Sequence, residues 1–237
     1  MIHYCIIVYA SLMADREGPR PRPLGRVSTV EALAKALRER ILSGDEVPGA
    51  PLREAELCAM FGVSRHSLRT AMRSLVPTGL IRYEANYGMY VSKLDTHDVE
   101  DIYQIRKVLE AEAVLHLCSH QELLGPAERA LVTLESLDGA SDWALVRDAD
   151  LAFHQSMVDA LGRRRMSSAY AGLMDEMSLA FRQLRPEFED VAGIQSQHRD
   201  IFNAVFRGDE SLALRLTTEH LTNAENDITR ELDQFAR

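Results

Sequence analysis

The sequence predicts a mainly α-helical protein: an N-terminal winged helix-turn-helix joined to a C-terminal all-α bundle of six or seven helices. Apolar residues recur at helical spacing through most of the chain. Only two short segments, at 81–83 and 89–91, have the character of strands, and they lie close together. The charge is also divided, since residues 26–92 carry nine Lys and Arg against seven Asp and Glu, whereas residues 93–237 carry 15 against 27. A slightly basic unit followed by a strongly acidic one indicates two different roles.

The overall composition is that of a globular protein. The 237 residues are 46% hydrophobic and 27% charged, and no run of 18 apolar residues predicts a membrane span. The three cysteines are scattered without a CxxC pattern, which favours the reducing cytoplasm over a disulfide framework. Residues 1–25 combine an apolar start with a Pro/Arg-rich stretch. We interpret them as a disordered extension or a wrongly assigned start, with Met13 as the candidate true start, and exclude them from the fold.

Caps and helix-breaking residues set the boundaries within the N-terminal unit, residues 26–92. The first helix begins with the capping-box pattern Ser28-x-x-Glu31 and ends at Gly44. A short second helix ends at Gly62, and Ser64 can cap the third helix. The two short strands then form the wing.

The third helix is the candidate DNA-reading helix. Its first turn is Ser64-Arg65-His66-Ser67, and Arg69 lies one turn further on. Helix N-termini attract phosphate, and the first-turn side chains of such helices reach base edges in the major groove. Arginine can bind guanine through two hydrogen bonds. The pattern alone leaves open that the two arginines only form a solvated face.

The segment ILSGDEVPGAPLREAELCAMFGVSRHSLRTAMRSLVPTGLIRYEANYGMYV resembles the winged helix of GntR-family bacterial transcription regulators. The resemblance covers residues 28–92 and implies that Arg65 and Arg69 read DNA. It also implies that Ser64 and His66 occupy flanking contact positions and that Gly88 lies at the tip of the wing.

The sequence departs from the family pattern in two places. His66-Ser67 stands where the family usually has Thr-Pro or Thr-Thr. Ala55 stands where some members have an arginine, and Arg53 is the candidate substitute. The resemblance therefore implies operator binding without fixing the operator sequence.

The C-terminal unit, residues 93–237, reads as helix throughout and lacks strand signals. Gly and Pro residues and polar caps divide it into six helices. These are a helix capped by Thr96, one starting at Gly125-Pro126, and helices over 142–161, 163–184, 188–206 and 209–235.

Four residues of this unit form a candidate metal set. Asp150 and His154 are four apart on one predicted helix, so they lie on one face of it. His198 and His220 fall on two later helices and have apolar neighbours at helical spacing. Three imidazoles and one carboxylate suit Zn, Ni, Fe or Mn better than Ca or Mg. Spacing alone leaves open that the histidines are ordinary core residues.

Residues 98–235 are similar to the FCD ligand-binding domain of the FadR subgroup of GntR regulators. The matching motifs are Asp101-x-Tyr103-x-x-Arg106-x-x-x-Glu110, Asp150-x-x-Phe153-His154, His198-x-x-Ile201-x-x-Ala204-x-x-x-Gly208-Asp209 and His220-Leu221.

This second resemblance implies a divalent metal, Zn or Ni before Mn or Fe, held by Asp150, His154, His198 and His220. It also implies a small carboxylate effector paired with Arg106. Acyl-binding relatives lack the metal set, so a small polar acid is expected rather than an acyl-CoA. The alternative for Arg106 is an ordinary intramolecular ion pair with Glu110, four residues further along the same helix.

We therefore predict a cytoplasmic, homodimeric, metabolite-responsive transcription regulator, acting as a repressor that binds double-stranded operator DNA. One alternative is a helical enzyme that uses the metal to activate water or a carbonyl group. The other is a DNA-binding protein whose helical bundle serves only to dimerise.

Overall fold

The computed structural model describes residues 28–85, 87–183 and 190–235. The predicted extension, residues 1–25, lies outside the described residues. Within these ranges the chain forms α-helices and one two-stranded sheet, as the sequence predicts.

The N-terminal part contains three helices and the wing. Its elements are α1 (Thr29–Ser43), α2 (Glu54–Phe61), α3 (Arg65–Leu75), β1 (Ile81–Glu84) and β2 (Gly88–Val91). The predicted capping box is present, because Ser28 Oγ accepts from the Glu31 N–H at 3.1 Å and Glu31 Oε2 accepts from the Ser28 N–H at 2.9 Å. Gly62 has a φ of +65°, which favours glycine and lets the chain turn from α2 into α3. Helix α1 packs against α3 in the core.

The wing is one antiparallel pair of short strands. Ile81 lies opposite Val91 and both are buried, whereas Glu84 lies opposite Gly88 near the turn. Pro51 forms a further bridge to Tyr90, so the segment before α2 is attached to the wing. The strands are each one residue longer than predicted.

Over its described residues, the C-terminal part is an all-α bundle of six α-helices. They are α4 (Thr96–Ser119), α5 (Gly125–Glu135), α6 (Trp143–Asp159), α7 (Arg164–Gln183), α8 (Val191–Phe206) and α9 (Glu210–Phe235). Helix α4 occupies the centre, since it packs against α6, α7, α8 and α9. Its central position places residues of α4 beside side chains from most of the bundle.

The predicted cap of α4 is wrong by one residue. Asp95, not Thr96, is the N-cap: its carboxylate accepts from the Asp98 N–H at 2.9 Å, and Asp98 accepts in return from the Asp95 N–H. Asp95 keeps an extended backbone, whereas Thr96 is already helical and donates its hydroxyl to Asp233. Both residue types cap helices well, but only Asp95 stands three residues before a second acceptor.

Helix α7 connects the two parts of the molecule. Its Asp175 carboxylate accepts hydrogen bonds from both Nε and Nη2 of Arg38 on α1. Its Arg182 donates to the main-chain oxygen of Leu42 at 2.7 Å. The bundle therefore contacts the C-terminal half of α1. The wing has a separate link to the bundle in the ion pair from Arg82 to Asp98.

Candidate DNA-binding helix and metal centre

The first turn of α3 is arranged as the sequence predicts. Ser64 is the N-cap, and its hydroxyl accepts from the Ser67 N–H at 3.1 Å. The hydroxyls of Ser64 and Ser67 also lie 3.0 Å apart, so each is engaged in the cap. Leu68 is buried, which turns Arg65 and His66 outward to an exposed position. This turn offers a cation beside the positive end of a helix.

The other predicted arginines of this surface carry acidic partners. Arg69 Nε donates to Glu54 Oε1 at 2.7 Å, a contact between α3 and α2. Arg53, at the N-cap of α2, contacts Glu56 at 3.2 Å. Arg65 makes no ion pair or side-chain hydrogen bond with any part of the chain that the structure describes. The three arginines are thus exposed, but only Arg65 is ready to meet phosphate or a base without exchanging a partner.

Arg73 is a further cation of the same surface, and it was not among the predicted DNA-binding residues. Arg73 is exposed and follows Arg69 by four residues, as Arg69 follows Arg65. This spacing places all three along one side of α3. Continuing the four-residue step beyond the first turn would have found it. In the wing, Gly88 has a φ of +90° and stands next to the exposed Tyr87, just after the turn.

The four predicted metal ligands come together. Asp150 and His154 of α6, His198 of α8 and His220 of α9 each offer an atom, and these atoms lie within 4.8 Å of one another. His154 Nε2 lies 3.1 Å from His198 Nε2 and 3.2 Å from His220 Nε2. Asp150 Oδ1 lies 3.0 Å from His198 Nε2. The structure thus gathers three ring nitrogens and a carboxylate oxygen at one point.

The outer nitrogen of each ring fixes the state of the inner one. His154 Nδ1 donates to Glu110 Oε2 at 2.7 Å, and His198 Nδ1 donates to the main-chain oxygen of Ile194 at 2.7 Å. His220 Nδ1 contacts Gln197 Oε1 at 2.8 Å. With a hydrogen on every Nδ1, each neutral ring turns an Nε2 lone pair to the centre. Facing lone pairs at about 3 Å repel, so the arrangement fits a cation between them, and outer partners of this kind orient metal-bound histidines.

Burial also favours the neutral form of two of the rings. It lowers the pKa of His154, and for His220 the neighbouring histidines lower the pKa further. Burial would raise the pKa of Asp150, but the surrounding rings hold it well below its ordinary value. Neutral imidazoles and an ionised carboxylate are the protonation states that a metal requires.

Glu110 joins the metal centre to the rest of the bundle and was not predicted to do so. This fully buried carboxylate accepts from Arg106 Nε at 2.9 Å and from Tyr170 Oη at 2.5 Å, besides His154. Burial alone would raise its pKa, but His154, Arg106 and Tyr170 together hold the pKa well below its ordinary range. The four-residue spacing to Arg106 predicted the ion pair, but nothing in the sequence links Glu110 to His154.

Beside the metal centre lies a cavity of about 300 Å³. Arg106, Tyr103, Asp150 and His220 are among the residues that line it. Arg106 is buried, and although its Nε is paired with Glu110, its Nη2 has no hydrogen-bond partner in the described chain. The hydroxyl of Tyr103 is likewise buried and unpartnered. Arg106 therefore forms the internal ion pair and keeps one buried donor free, and its pairing with an effector stays a prediction.

A winged helix-turn-helix with an exposed basic first turn, attached to a helical bundle, defines the class of DNA-binding transcription regulators with an appended helical domain. The profile of the bacterial regulatory proteins of the gntR family matches residues 29–91, and that of the FCD domain matches residues 101–223. The chain belongs to the GntR family and carries an FCD domain.

Relatives and solved structures agree with this assignment. The chain is 31% identical over 198 residues to an HTH-type regulator in an unstable DNA locus of Streptomyces ambofaciens, covering 82% of each chain. It is 26% identical over 212 residues to the gluconate operon transcriptional repressor of Bacillus licheniformis, covering 86% of this chain and 87% of that protein. A transcriptional regulator GntR from Rhodococcus sp. RHA1 has a structure with a TM-score of 0.77 at 26% identity, covering 85% of this chain and 98% of that one.

These proteins are transcription regulators, so the alternative of a metal-dependent enzyme is set aside. Among the described helices, none combines the length and apolar character that crossing a membrane requires.

Proposed function

We propose that this protein is a homodimeric repressor of the cytoplasm that binds operator DNA until a small carboxylic acid reaches its metal centre. Two relatives, the gluconate operon repressor of Bacillus licheniformis and RspR of Escherichia coli, are named as repressors. A two-fold dimer would place one winged helix on each half of a two-fold operator.

The DNA contacts of the proposal divide by function. Arg65, at the start of α3, is the candidate for base contact, and Arg69 can join it after leaving Glu54. Ser64, His66 and Ser67 lie at the same helix end and are candidates for phosphate contact. Arg53 and Gly88 are further candidates for DNA contact. They belong to the start of α2 and to the wing, which would flank the major groove.

One observation carries the metal part of the proposal: three Nε2 lone pairs and the Asp150 carboxylate converge, and every outer nitrogen is held by an acceptor. This donor set favours Zn or Ni, with Mn or Fe as further candidates. When bound, the cation would supply positive charge and a coordination position open to an oxygen ligand. Asp150, His154, His198 and His220 would hold it.

The effector part is supported by the two buried donors without partners. Arg106 and Tyr103 both line the cavity next to the candidate metal ligands, and a carboxylate that reached these two donors could accept from both. A volume of about 300 Å³ lies at the lower end for ligand cavities, which favours a small metabolite.

Helix α7 is the candidate connection between the cavity and DNA. Tyr170 on α7 donates to Glu110, which holds both His154 and Arg106. Five residues further along α7, Asp175 holds Arg38 of α1. A ligand can change DNA affinity only if it binds one arrangement of these elements better than another.

Elemental analysis of the purified protein tests the metal centre. About one divalent metal per chain is expected, and His198→Ala should remove it. His97→Ala is the control, because His97 is exposed and distant in the sequence from the cluster. A metal content that is unchanged in His198→Ala would refute the site.

Fluorescence anisotropy with the chain's own upstream DNA tests the regulator as a whole. Metal-loaded protein should bind this DNA selectively, and a small carboxylic acid should weaken binding. The DNA should weaken acid binding by the same factor. Selective DNA binding that no acid changes would favour a bundle that only dimerises, and the absence of a selective complex would refute the proposal.

A further inference from the structure

A second buried arginine lines the cavity that contains Arg106. Arg147 on α6 is only 5% exposed and lies on the cavity wall, and it also borders the groove between α1 and α7. Its Nε and Nη2 donate to a single oxygen of Asp148, at 2.9 and 2.6 Å. Asp148 is 63% exposed, so its charge is largely screened by water. Within the described ranges the third guanidinium nitrogen, Nη1, makes no hydrogen bond.

A buried guanidinium with only a solvated neighbour is costly unless something else supplies negative charge. Arg106 differs in this respect, because the fully buried Glu110 neutralises it. Among the described arginines that line this cavity, Arg147 is therefore the buried one whose ion-pair partner is exposed to solvent.

The spacing along α6 places this cation at a distance from the metal centre. Trp143, Arg147, Asp150 and His154 follow one another by four, three and four residues, so they lie along one side of the helix. Arg147 is about 4.5 Å along the axis from Asp150, and about 10 Å from His154. The cavity thus has the metal ligands and Arg106 at one end and Arg147 further along its wall.

Aromatic side chains line the cavity beside this row. Trp143 and Phe181 pack edge to face, with ring centroids 6.4 Å apart, and both line the cavity. They offer an apolar wall to methylene groups. The acidic side chains at the other side are exposed or half-buried: Asp227 is paired with Arg230 at 2.6 Å, and Asp190 and Glu231 stand near solvent.

We infer that Arg147 is a second carboxylate anchor and that this cavity selects a short aliphatic diacid over a monoacid. One carboxylate would occupy the end with the metal ligands and Arg106, the methylene groups would lie along Trp143 and Phe181, and the other carboxylate would accept from Arg147. The inference rests on the proposed effector site and names the chemical class of its ligand.

Titration calorimetry with matched acids tests the inference on the full-length, zinc-loaded protein. Succinate, glutarate and adipate are compared with butyrate, pentanoate and hexanoate, which have the same chain lengths and lack one carboxylate. The best diacid should bind roughly 10- to 100-fold more tightly than its monoacid, as expected for charge-assisted hydrogen bonds. Arg147→Gln should remove this preference and leave monoacid affinity unchanged.

Two variants complete the experiment. Arg230→Gln removes an exposed arginine of the same cavity and should leave the diacid preference intact. Arg147→Lys keeps the charge without the planar fork, so the preference should fall but persist, and it replaces Arg147→Gln if that protein does not fold.

The outcomes separate the inference from the proposed function. Equal affinity for diacid and monoacid, or an equal loss of both in Arg147→Gln, would overturn the inference and leave the effector site standing. If no acid of either series binds the zinc-loaded protein, the effector site itself fails, and the inference fails with it.

Discussion

The start of α3 and the histidine cluster are two functional regions built in opposite ways. Arg65 and His66 are exposed, and their positions depend on a single helix and its cap at Ser64. Two of the four cluster residues are buried and the other two are half-buried, and their positions depend on three helices and on the carboxylate of Glu110 from a fourth. The comparison teaches that DNA contacts can be changed one at a time, whereas the metal centre and the stability of the bundle are linked.

The largest effect is expected from Glu110→Gln. The change removes the charge that balances buried Arg106 while keeping the shape of the side chain. Chemical denaturation of chelator-treated protein should show a loss of about 3–5 kcal/mol in the free energy of unfolding, because a buried charge loses its partner.

Glu112→Gln is the matched control, since Glu112 lies two residues along the same helix and is exposed. It should change the free energy of unfolding by less than about 0.5 kcal/mol. A Glu110→Gln protein as stable as its control would show that the stability of the bundle does not depend on the charge of Glu110, and the proposed link between the metal centre and bundle stability would fail.

Arg65→Ala should have the next largest effect, and only on DNA. The loss of one base or phosphate contact should cost roughly 1–3 kcal/mol of operator affinity by fluorescence anisotropy. Because the side chain is exposed and makes no ion pair or side-chain hydrogen bond with the described residues, the free energy of unfolding should stay within about 0.5 kcal/mol of that of the unmodified protein. Normal operator binding would contradict the docking of α3, and a large loss of stability would contradict the independence of this surface.

The contrast between local and tertiary contacts also explains which features of the fold and of the candidate sites the sequence could predict. The capping box at Ser28 and the turn at Gly62 are local signals, and the structure has both. The pair Asp150 and His154 could be placed on one face because helical periodicity fixes neighbours four residues apart. That His198 and His220 meet them was implied only by the resemblance to the FCD domain, since their approach depends on the packing of α8 and α9.

What the sequence could not supply are the partners set by tertiary packing. Glu110 is four residues from Arg106, which predicts their ion pair, but its bonds to His154 and Tyr170 cross 44 and 60 residues. Likewise, the pairing of Arg69 with Glu54 joins two helices across the turn at Gly62. These links follow from how helices pack, and no periodicity within one helix encodes them.

Asp175→Asn tests whether the two regions communicate through α7. The change weakens the bond to Arg38 on α1 but leaves both functional regions intact. The factor by which an organic acid alters operator affinity should fall toward one, by the equivalent of about 0.5–2 kcal/mol. Asp200→Asn is the control, because Asp200 is an exposed residue of α8. An unchanged factor in Asp175→Asn would place the communication elsewhere.

The smallest effect is expected from Glu54→Gln, which frees Arg69 without touching any predicted DNA contact. In the free protein Arg69 is held by Glu54 at 2.7 Å, and this exposed pair must open before Arg69 can reach DNA. An exposed pair contributes little to stability, so its removal should raise operator affinity by at most about fivefold. Glu56→Gln, on the same short helix, controls for the loss of one negative charge near the phosphates. If both variants gain the same operator affinity, the gain comes from the loss of a negative charge near the phosphates and not from the release of Arg69. If Glu54→Gln loses affinity, the pair instead positions Arg69 for binding. The DNA-binding residues would then depend on one another, as the residues of the histidine cluster do.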